Sequence, residues 1–161
     1  MRLAPTIFLV VVGLSGVASA QSAQSTKAQL IDLFDKIHAR MTIHDTLAQT
    51  MQGLPDYFNN AAIHDCINEY RPARDALEVQ FDVLVAGAKT DYSKAIETGD
   101  QSQLEKDVAV ADAIFDSSDK ISSRFRGCLS TAGVRVDVFL KGAIQIYLEQ
   151  RKKIEEAQKE S

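Results

Sequence analysis

The feature that most constrains this chain is a set of apolar seams that repeat every three or four residues. In the first seam, side chains recur from Leu30 to Met51 at alternating steps of four and three, and Gly53 and Pro55 end the run. Such spacing places the recurring side chains on one face of an α-helix. The seam therefore predicts a helix over residues 26–53.

Similar seams follow along the chain and are separated by helix-breaking residues. They predict further helices over residues 55–70, 72–98, 101–132 and 134–159. Pro72 separates the first two of these, because proline lacks an amide hydrogen and disfavours helical geometry at the residue before it. One kinked helix over 55–98 is the alternative. Residues 134–138 alternate as a strand does, but no comparable strand is available to pair with them, which favours a helix.

The lengths of the predicted helices indicate the architecture. The four long helices each span roughly 40–50 Å at 1.5 Å per residue. Helices of matched length that are joined by short breaks pack side by side. The sequence therefore predicts an all-α fold, an up-down four-helix bundle with an extra short helix, residues 55–70, between the first and second long helices. Residues 21–161 form a single domain in this prediction.

The N-terminus has the three-part layout of a secretory signal peptide. Arg2 provides a positive start, residues 7–12 form a compact apolar run, and Ala18 and Ala20 provide small residues for cleavage. The apolar run is shorter than the ~20 residues that a spanning helix needs, which disfavours an uncleaved anchor. We expect residues 1–20 to be removed and the mature protein to be periplasmic or secreted.

The charge of the chain limits the classes of partner. It has 18 lysines and arginines against 22 acidic residues, a net charge of −4. Nucleic acids and anionic membranes both favour a basic face, so neither is the expected main partner. No segment after the predicted leader is long and apolar enough to span a membrane. We expect a soluble protein whose partner is another protein or a small molecule.

The two cysteines predict a disulfide. Cys66 and Cys128 lie 62 positions apart in a chain that we expect to be exported, where disulfides form and persist. A redox role is disfavoured, because there is no Cys-x-x-Cys motif and no neighbouring group that would acidify either thiol. In an up-down bundle the two residues meet at the same end.

His44 is the most unusual residue of the first seam, because it is a polar side chain at an apolar position. Met41 and Met51 share its stripe, and histidine with methionine can ligate haem iron or copper. The alternative is a buried neutral histidine with a hydrogen-bond partner, among methionines that only fill the core. Because no second ligand can be placed with assurance, we expect no metal and no cofactor.

The remaining histidines and the acidic residues of the third long helix are predicted to lie at the surface. His38 and His64 fall on polar faces of their helices, and lysines interleave with the acids of the third long helix. Those acids are Asp107, Asp112, Asp116 and Asp119. Adjacent helical residues point apart, so neither His-Asp dipeptide is a catalytic pair. With no catalytic motif in the chain, we expect no catalytic residues and no enzyme activity.

The sequence thus favours an exported, non-catalytic bundle that acts through its surface, in a chaperone-like or envelope-related role. Tyr57 and Phe58, near a helix junction, are the candidate exposed aromatic pair for a partner. A secreted effector or enzyme inhibitor would have the same features. The alternative from another class is a haem- or metal-binding bundle that uses His44 with Met41 or Met51.

Overall fold

The computed structural model describes residues 15–55 and 57–160, with side chains from residue 22 onward except those of Phe58 and Glu160. These residues form four α-helices and one 3₁₀ turn, without a strand. The elements are α1 (Ser15–Gln52), the 3₁₀ turn Tyr57–Asn59, α2 (Ala61–Thr98), α3 (Ser102–Thr131) and α4 (Val136–Glu160). The predicted all-helical fold class is confirmed. No helix among these residues is long and apolar enough to cross a membrane.

α1 begins at Ser15, well before the predicted start at residue 26. The hydroxyl of Thr26 does not cap a helix start; it donates to the carbonyl of Ser22 inside the helix, at 3.1 Å. Ala23 is fully buried against the core, so the seam continues further upstream than the larger apolar residues show. Residues 1–14 of the predicted signal peptide lie outside the described residues, and residues 15–20 are the first turns of α1.

α2 is continuous where the sequence predicted two helices. Pro72 lies inside it, and because proline has no amide hydrogen the preceding turn lacks one backbone hydrogen bond. Tyr70 and Leu77 are buried on either side, so tertiary packing holds the helix across the proline. Asn60 caps the start of α2, because its Oδ1 accepts from the Ile63 amide at 3.2 Å. The predicted separate helix over 55–70 is therefore replaced by a 3₁₀ turn and the first part of α2.

A left-handed glycine ends α2. Gly99 has φ 74° and its amide donates to the carbonyl of Ala95 at 3.0 Å. This conformation is accessible to glycine at little cost. Asp100 then accepts from the amide of Ser102 at 2.9 Å, which starts α3 directly after the turn. Only three residues, 99–101, therefore connect α2 to α3.

The buried side chains form two apolar clusters. The first cluster joins the early part of α1, the late part of α2 and the early part of α3. Its largest members are Leu30, Leu33, Ile37, Met41, Leu77, Leu84, Leu104 and Ile114. The second cluster joins the end of α1, the 3₁₀ turn, the start of α2, the end of α3 and α4. Its largest members are Leu47, Met51, Tyr57, Ile63, Ile67, Tyr70, Phe125 and Leu129.

On α1, α2 and α3, polar side chains separate the residues of the first cluster from those of the second. His44 separates the two clusters on α1, Arg74 on α2, and Ser118 and Ser122 on α3. His44 and both serines are almost completely buried. Together with Asp45, whose carboxylate binds Arg74 at 2.5 Å, we refer to these residues as the polar layer.

Contacts between the helices relate distant parts of the chain. Lys27, early in α1, lies 4.3 Å from the ring centroid of Tyr92, late in α2. Cys66, early in α2, is bonded to Cys128, late in α3, with 5.7 Å between their Cα atoms. The predicted cysteine pairing is thus present. α4 packs mainly against α1 and touches α3 much less, so a groove remains between α3 and α4.

Candidate functional site

The groove between α3 and α4 is a shallow, open depression of about 410 Å³ above α1, and His44 is part of its lining. This volume lies within the range of small-molecule sites, roughly 300–1,000 Å³. The apolar part of the lining comes from three helices: Ile43 of α1, Phe115 of α3, and Leu140 and Ile144 of α4. The charged part consists of Lys36, Arg40 and Arg126, with no carboxylate. We call this cavity the His44 groove.

His44 is held by its own helix. Its Nδ1 lies 2.8 Å from the carbonyl oxygen of Arg40, and because a carbonyl only accepts, Nδ1 carries the proton and donates. Burial lowers the pKa of His44, and the positive charges of Arg126 and Arg40 lower it further. The hydrogen bond to the Arg40 carbonyl and the charge of Asp45 act in the opposite direction. His44 is therefore a neutral imidazole at pH 7.

The second ring nitrogen of His44 has no partner. Nε2 is buried and makes no hydrogen bond to any of the described residues. With Nδ1 protonated, Nε2 carries the lone pair and is an acceptor. A buried polar atom without a partner costs roughly 1–3 kcal/mol, so such atoms are uncommon unless a ligand, ion or water completes them. His44 lines the groove, but Nε2 itself has less than 1 Å² of accessible surface, so a hydrogen-bond donor or an ion would reach it only after a movement of the surrounding side chains.

The three basic side chains of the groove differ in whether they already pair with a carboxylate. Arg40 lies 4.2 Å from the ring centroid of Phe115 and pairs with Asp119 at 3.1 Å. Lys36 pairs with Asp32 at 2.6 Å. Arg126 instead donates only to a neutral hydroxyl, that of Ser123 at 3.1 Å, and no carboxylate in the described ranges lies within 4 Å of it. Most of the donors of Arg126 are therefore available to a ligand.

The methionines that the sequence grouped with His44 lie on opposite sides of it. Met41 belongs to the first cluster and Met51 to the second, and both are buried. Met51 follows His44 by two helical turns, roughly 10 Å along the axis, which is too far for both to ligate one ion. Met41 precedes His44 by less than one turn and keeps its place as a candidate. No group of three or more His, Cys, Asp or Glu residues in the described ranges is arranged to hold a metal ion.

The predicted partner surface at Tyr57 and Phe58 is not supported at Tyr57. Tyr57 is buried in the second cluster, and its ring centroid lies 5.7 Å from that of His64. The 3₁₀ turn that precedes α2 brings this side chain inward, which a helix starting at residue 55 would not have done. The side chain of Phe58 lies outside the described residues. His38 and His64 are exposed, at the surface as predicted.

Of the four acidic residues predicted to lie at the surface of the third long helix, Asp107 is the one for which the prediction was wrong. It is 6% exposed, whereas Asp112, Asp116 and Asp119 are exposed. Burial and the neighbouring charge of Asp91 on α2 raise the pKa of Asp107, although Gln103 donates to its Oδ1 at 3.4 Å. Its position, three residues after Leu104 and four before Ala111, already matches the buried face.

A hydrogen-bonded network between α1 and α2 was not predicted. The hydroxyl of Tyr70 donates to Asp45 at 3.0 Å, and Arg74 pairs with the other oxygen of the same carboxylate and with Glu78. Burial and the charge of Asp45 raise the pKa of Tyr70. The ring of Tyr70 stacks on Phe125 at 4.3 Å. Tyr70 and Arg74 therefore hold two helices together and are not free to bind a ligand.

A second cleft, between α1 and α2, is a weaker candidate. It encloses about 380 Å³ and is lined mainly by apolar side chains such as Phe34, Val85 and Tyr92, with Lys27 and Lys89 beside them. Lys27 already lies over the ring of Tyr92. None of the unpartnered buried polar atoms of the described residues lines this cleft. The His44 groove has both an apolar lining and an unsatisfied polar atom.

No protein-family model matches the chain, and no curated protein or solved structure is detectably similar to it. A role for the His44 groove must therefore be argued from its own geometry and chemistry.

Proposed function

We propose that this is an exported, non-catalytic binding protein and that the His44 groove is its ligand site. The observation that carries the proposal is the unpartnered Nε2 of His44, a buried acceptor on a residue that lines an open groove of ligand size. An apolar lining with a few polar groups is the usual composition of a small-molecule site. A bound donor would satisfy this nitrogen.

Two features support export. Residues 1–20 have the composition of a secretory leader. The Cys66–Cys128 bond is compatible with an oxidising compartment such as the periplasm or the extracellular space. We infer that the protein acts in one of these compartments, where an envelope-related or chaperone-like role would need a ligand site of this kind.

The lining of the groove supports binding without catalysis. It contains no serine, threonine, cysteine, aspartate or glutamate, so it offers no hydroxyl or thiol nucleophile and no carboxylate base, and the amine of Lys36 is paired with Asp32. His44, oriented by the carbonyl of Arg40, is the one imidazole base of the lining, and no hydroxyl or thiol of the lining stands beside it as a nucleophile. The groups present favour orientation and charge recognition.

We also infer that the four long helices alternate in direction as an up-down bundle. Early α1 meets late α2 at Lys27 and Tyr92, while late α1 meets early α2 at Asp45 and Tyr70. Early α2 is bonded to late α3 at the cysteine pair, and Asp35 of α1 pairs with Arg151 of α4 at 3.7 Å. Fluorescence energy transfer between labelled helix ends would test this order; distances that favour parallel neighbours would contradict it.

The binding role is tested with N-phenylnaphthylamine, a neutral probe that fluoresces in apolar sites. We expect saturable binding to the wild-type protein. Ile144→Glu, which puts a carboxylate on the α4 wall of the groove, should weaken binding about tenfold or more. Ile146→Glu is the matched control, because Ile146 is similarly exposed on α4 but does not line the groove. No saturable binding, or equal loss in both variants, would contradict the proposal.

A second candidate function is haem or copper binding through His44. A histidine whose Nδ1–H donates to a backbone carbonyl is already oriented to present Nε2 to a metal. Met41, less than one turn away, would be the second ligand. Haem titration followed at the Soret band, together with Cu(I) titration, tests this function. A ligand-type spectrum lost in His44→Leu supports it, and no spectral change or metal uptake excludes it.

A further inference from the structure

We propose that the ligand of the His44 groove is a single-chain anionic amphiphile that carries a hydroxyl donor close to its anionic head. This inference rests on the proposed ligand-binding role of the groove and specifies the chemistry of the occupant. Three parts of the groove carry the proposal, and each matches one part of such a molecule.

The anionic head is matched by the basic side chains. Lys36, Arg40 and Arg126 line the groove without a carboxylate, in a protein whose net charge is −4. Lys36 and Arg40 are already paired with Asp32 and Asp119, so Arg126 is the basic side chain of the groove whose charge is left for an anionic head. Arg126 is the principal contact, because among the described residues it donates to the hydroxyl of Ser123 and pairs with no carboxylate. A guanidinium binds a carboxylate through two parallel hydrogen bonds.

The acyl or alkyl chain is matched by the apolar lining. Ile43, Phe115, Leu140 and Ile144 contribute side chains from α1, α3 and α4, and Ile144 is still 38% exposed. Burying one methylene group strengthens binding about fourfold, so a medium-length chain gains considerable affinity there. A hydrophilic anion such as acetate or phosphate would leave these side chains uncovered.

The hydroxyl donor is matched by His44. Its Nε2 is an acceptor, because Nδ1 donates to the carbonyl of Arg40. Nε2 cannot bond to an ionised carboxylate, which only accepts. Arg126 and His44 line the same groove, so one ligand can engage the guanidinium and, once the side chains over Nε2 move, the imidazole with a neighbouring group. The donor therefore belongs beside the anionic head.

Three probes with the same ten-carbon chain separate these contributions: decanol, decanoate and β-hydroxydecanoate. Each would displace N-phenylnaphthylamine from the wild-type protein below its micelle concentration, with Ile144→Glu as the reference for loss of the site. We expect decanoate to bind about tenfold more tightly than decanol because of the charge-assisted bonds. We expect β-hydroxydecanoate to bind a further three- to tenfold more tightly through His44.

Two substitutions assign the contributions to residues. Arg126→Gln should reduce the affinity for decanoate to that for decanol while leaving decanol binding unchanged. Arg124→Gln is its control, since Arg124 is exposed on the same helix and does not line the groove. His44→Leu should remove the advantage of the β-hydroxyl and retain the advantage of the carboxylate. If His44→Leu does not fold, the decanoate and β-hydroxydecanoate affinities of the wild type still test the donor.

The outcomes distinguish this inference from the binding role itself. If none of the probes displaces N-phenylnaphthylamine and no saturable binding occurs, the groove is not a ligand site and both proposals fail. If decanol binds as tightly as decanoate, the groove binds apolar ligands and the inference about the head is overturned. If Arg126→Gln and Arg124→Gln weaken decanoate equally, recognition is due to overall charge, which also overturns it.

Discussion

The α2–α3 interface is built in opposite ways at its two ends. At one end Cys66 and Cys128 join the helices covalently, and Tyr70 stacks on Phe125 beside the bond. At the other end Asp91 and Asp107 face each other, and the charge of Asp91 raises the pKa of the buried Asp107. Both ends derive from the same apolar spacing. The comparison teaches that the apolar seams bring the two helices together. The particular residues at each end then determine how much that end contributes to stability.

The largest effect on stability is expected from removing the disulfide that joins α2 and α3 at one end of their interface. Replacing both residues, Cys66→Ser with Cys128→Ser, should lower the free energy of unfolding by about 4 kcal/mol, the loop-closure value for a separation of 62 residues. Urea unfolding of the double variant and the wild type measures the difference. A loss under about 1 kcal/mol would mean that noncovalent packing alone holds this end, which would remove the contrast between the two ends.

The next effect concerns the hydroxyl beside the cysteine end. Tyr70→Phe keeps the ring stacked on Phe125 but removes the bond to Asp45, which should cost about 1–2 kcal/mol. Tyr147→Phe, on α4, is the control, because Tyr147 is only half-buried. Thermal and urea unfolding of both variants test this expectation. Equal effects would show that the network with Asp45 adds nothing specific to this end.

At the opposite end a substitution should stabilise the protein. The pKa of Asp107 is raised in the folded state, so its favourable contribution is complete below pH 3.8 and is lost as the pH rises through the folded-state pKa. At pH 7 the negative charge of Asp107 lowers the free energy of unfolding. Asp107→Asn should therefore raise the free energy of unfolding by about 1 kcal/mol at pH 7, with a smaller gain at pH 4.

The control for this variant is Asp112→Asn on the same helix, since Asp112 is exposed. Chemical unfolding at both pH values compares them. If Asp107→Asn is destabilising at pH 7, the carboxylate contributes favourable interactions there, and the two ends of the interface are more alike than the structure indicates.

The smallest expected effect lies between the two ends, in the polar layer. The pKa of His44 is lowered in the folded state, so the unfolded chain takes up the proton first and stability decreases as the pH falls below about 6.5. Arg40 and Asp45 of α1 and Arg126 of α3 are the charged groups that act on it, and α4 contributes only apolar side chains. His44→Leu should flatten the stability profile between pH 7 and pH 5. An unchanged slope would contradict a buried neutral imidazole.

Much of the helical organisation could be predicted from the spacing of apolar residues. The first seam places Leu30, Ile37 and Met51 on one face, and all three are buried. The pairing of Cys66 with Cys128 followed from the number of cysteines and the expected compartment. These properties depend on local periodicity or simple counting, and both are visible in a single sequence.

The features that were missed depend on contacts between distant residues. Pro72 breaks an isolated helix, yet packing of Tyr70 and Leu77 on both sides outweighs the lost hydrogen bond. Tyr57 is buried because it lies in the 3₁₀ turn before α2. No periodic pattern of apolar residues in the sequence indicates such a turn. The position of His44 in the apolar seam was predicted. Arg126, which lines the same groove, lies on α3, and the sequence does not show that the two residues are neighbours.

The covalent link between α2 and α3 also determines which parts of the molecule can move independently. The bond closes a ring that contains most of α2 and α3, whereas α1 and α4 lie outside it. Prising α2 from α3 at that end would require bond cleavage, while lifting α4 from α1 breaks only noncovalent contacts. α4 forms one wall of the His44 groove, and a movement of that wall away from α1 would pivot at residues 132–135, which connect α4 to α3.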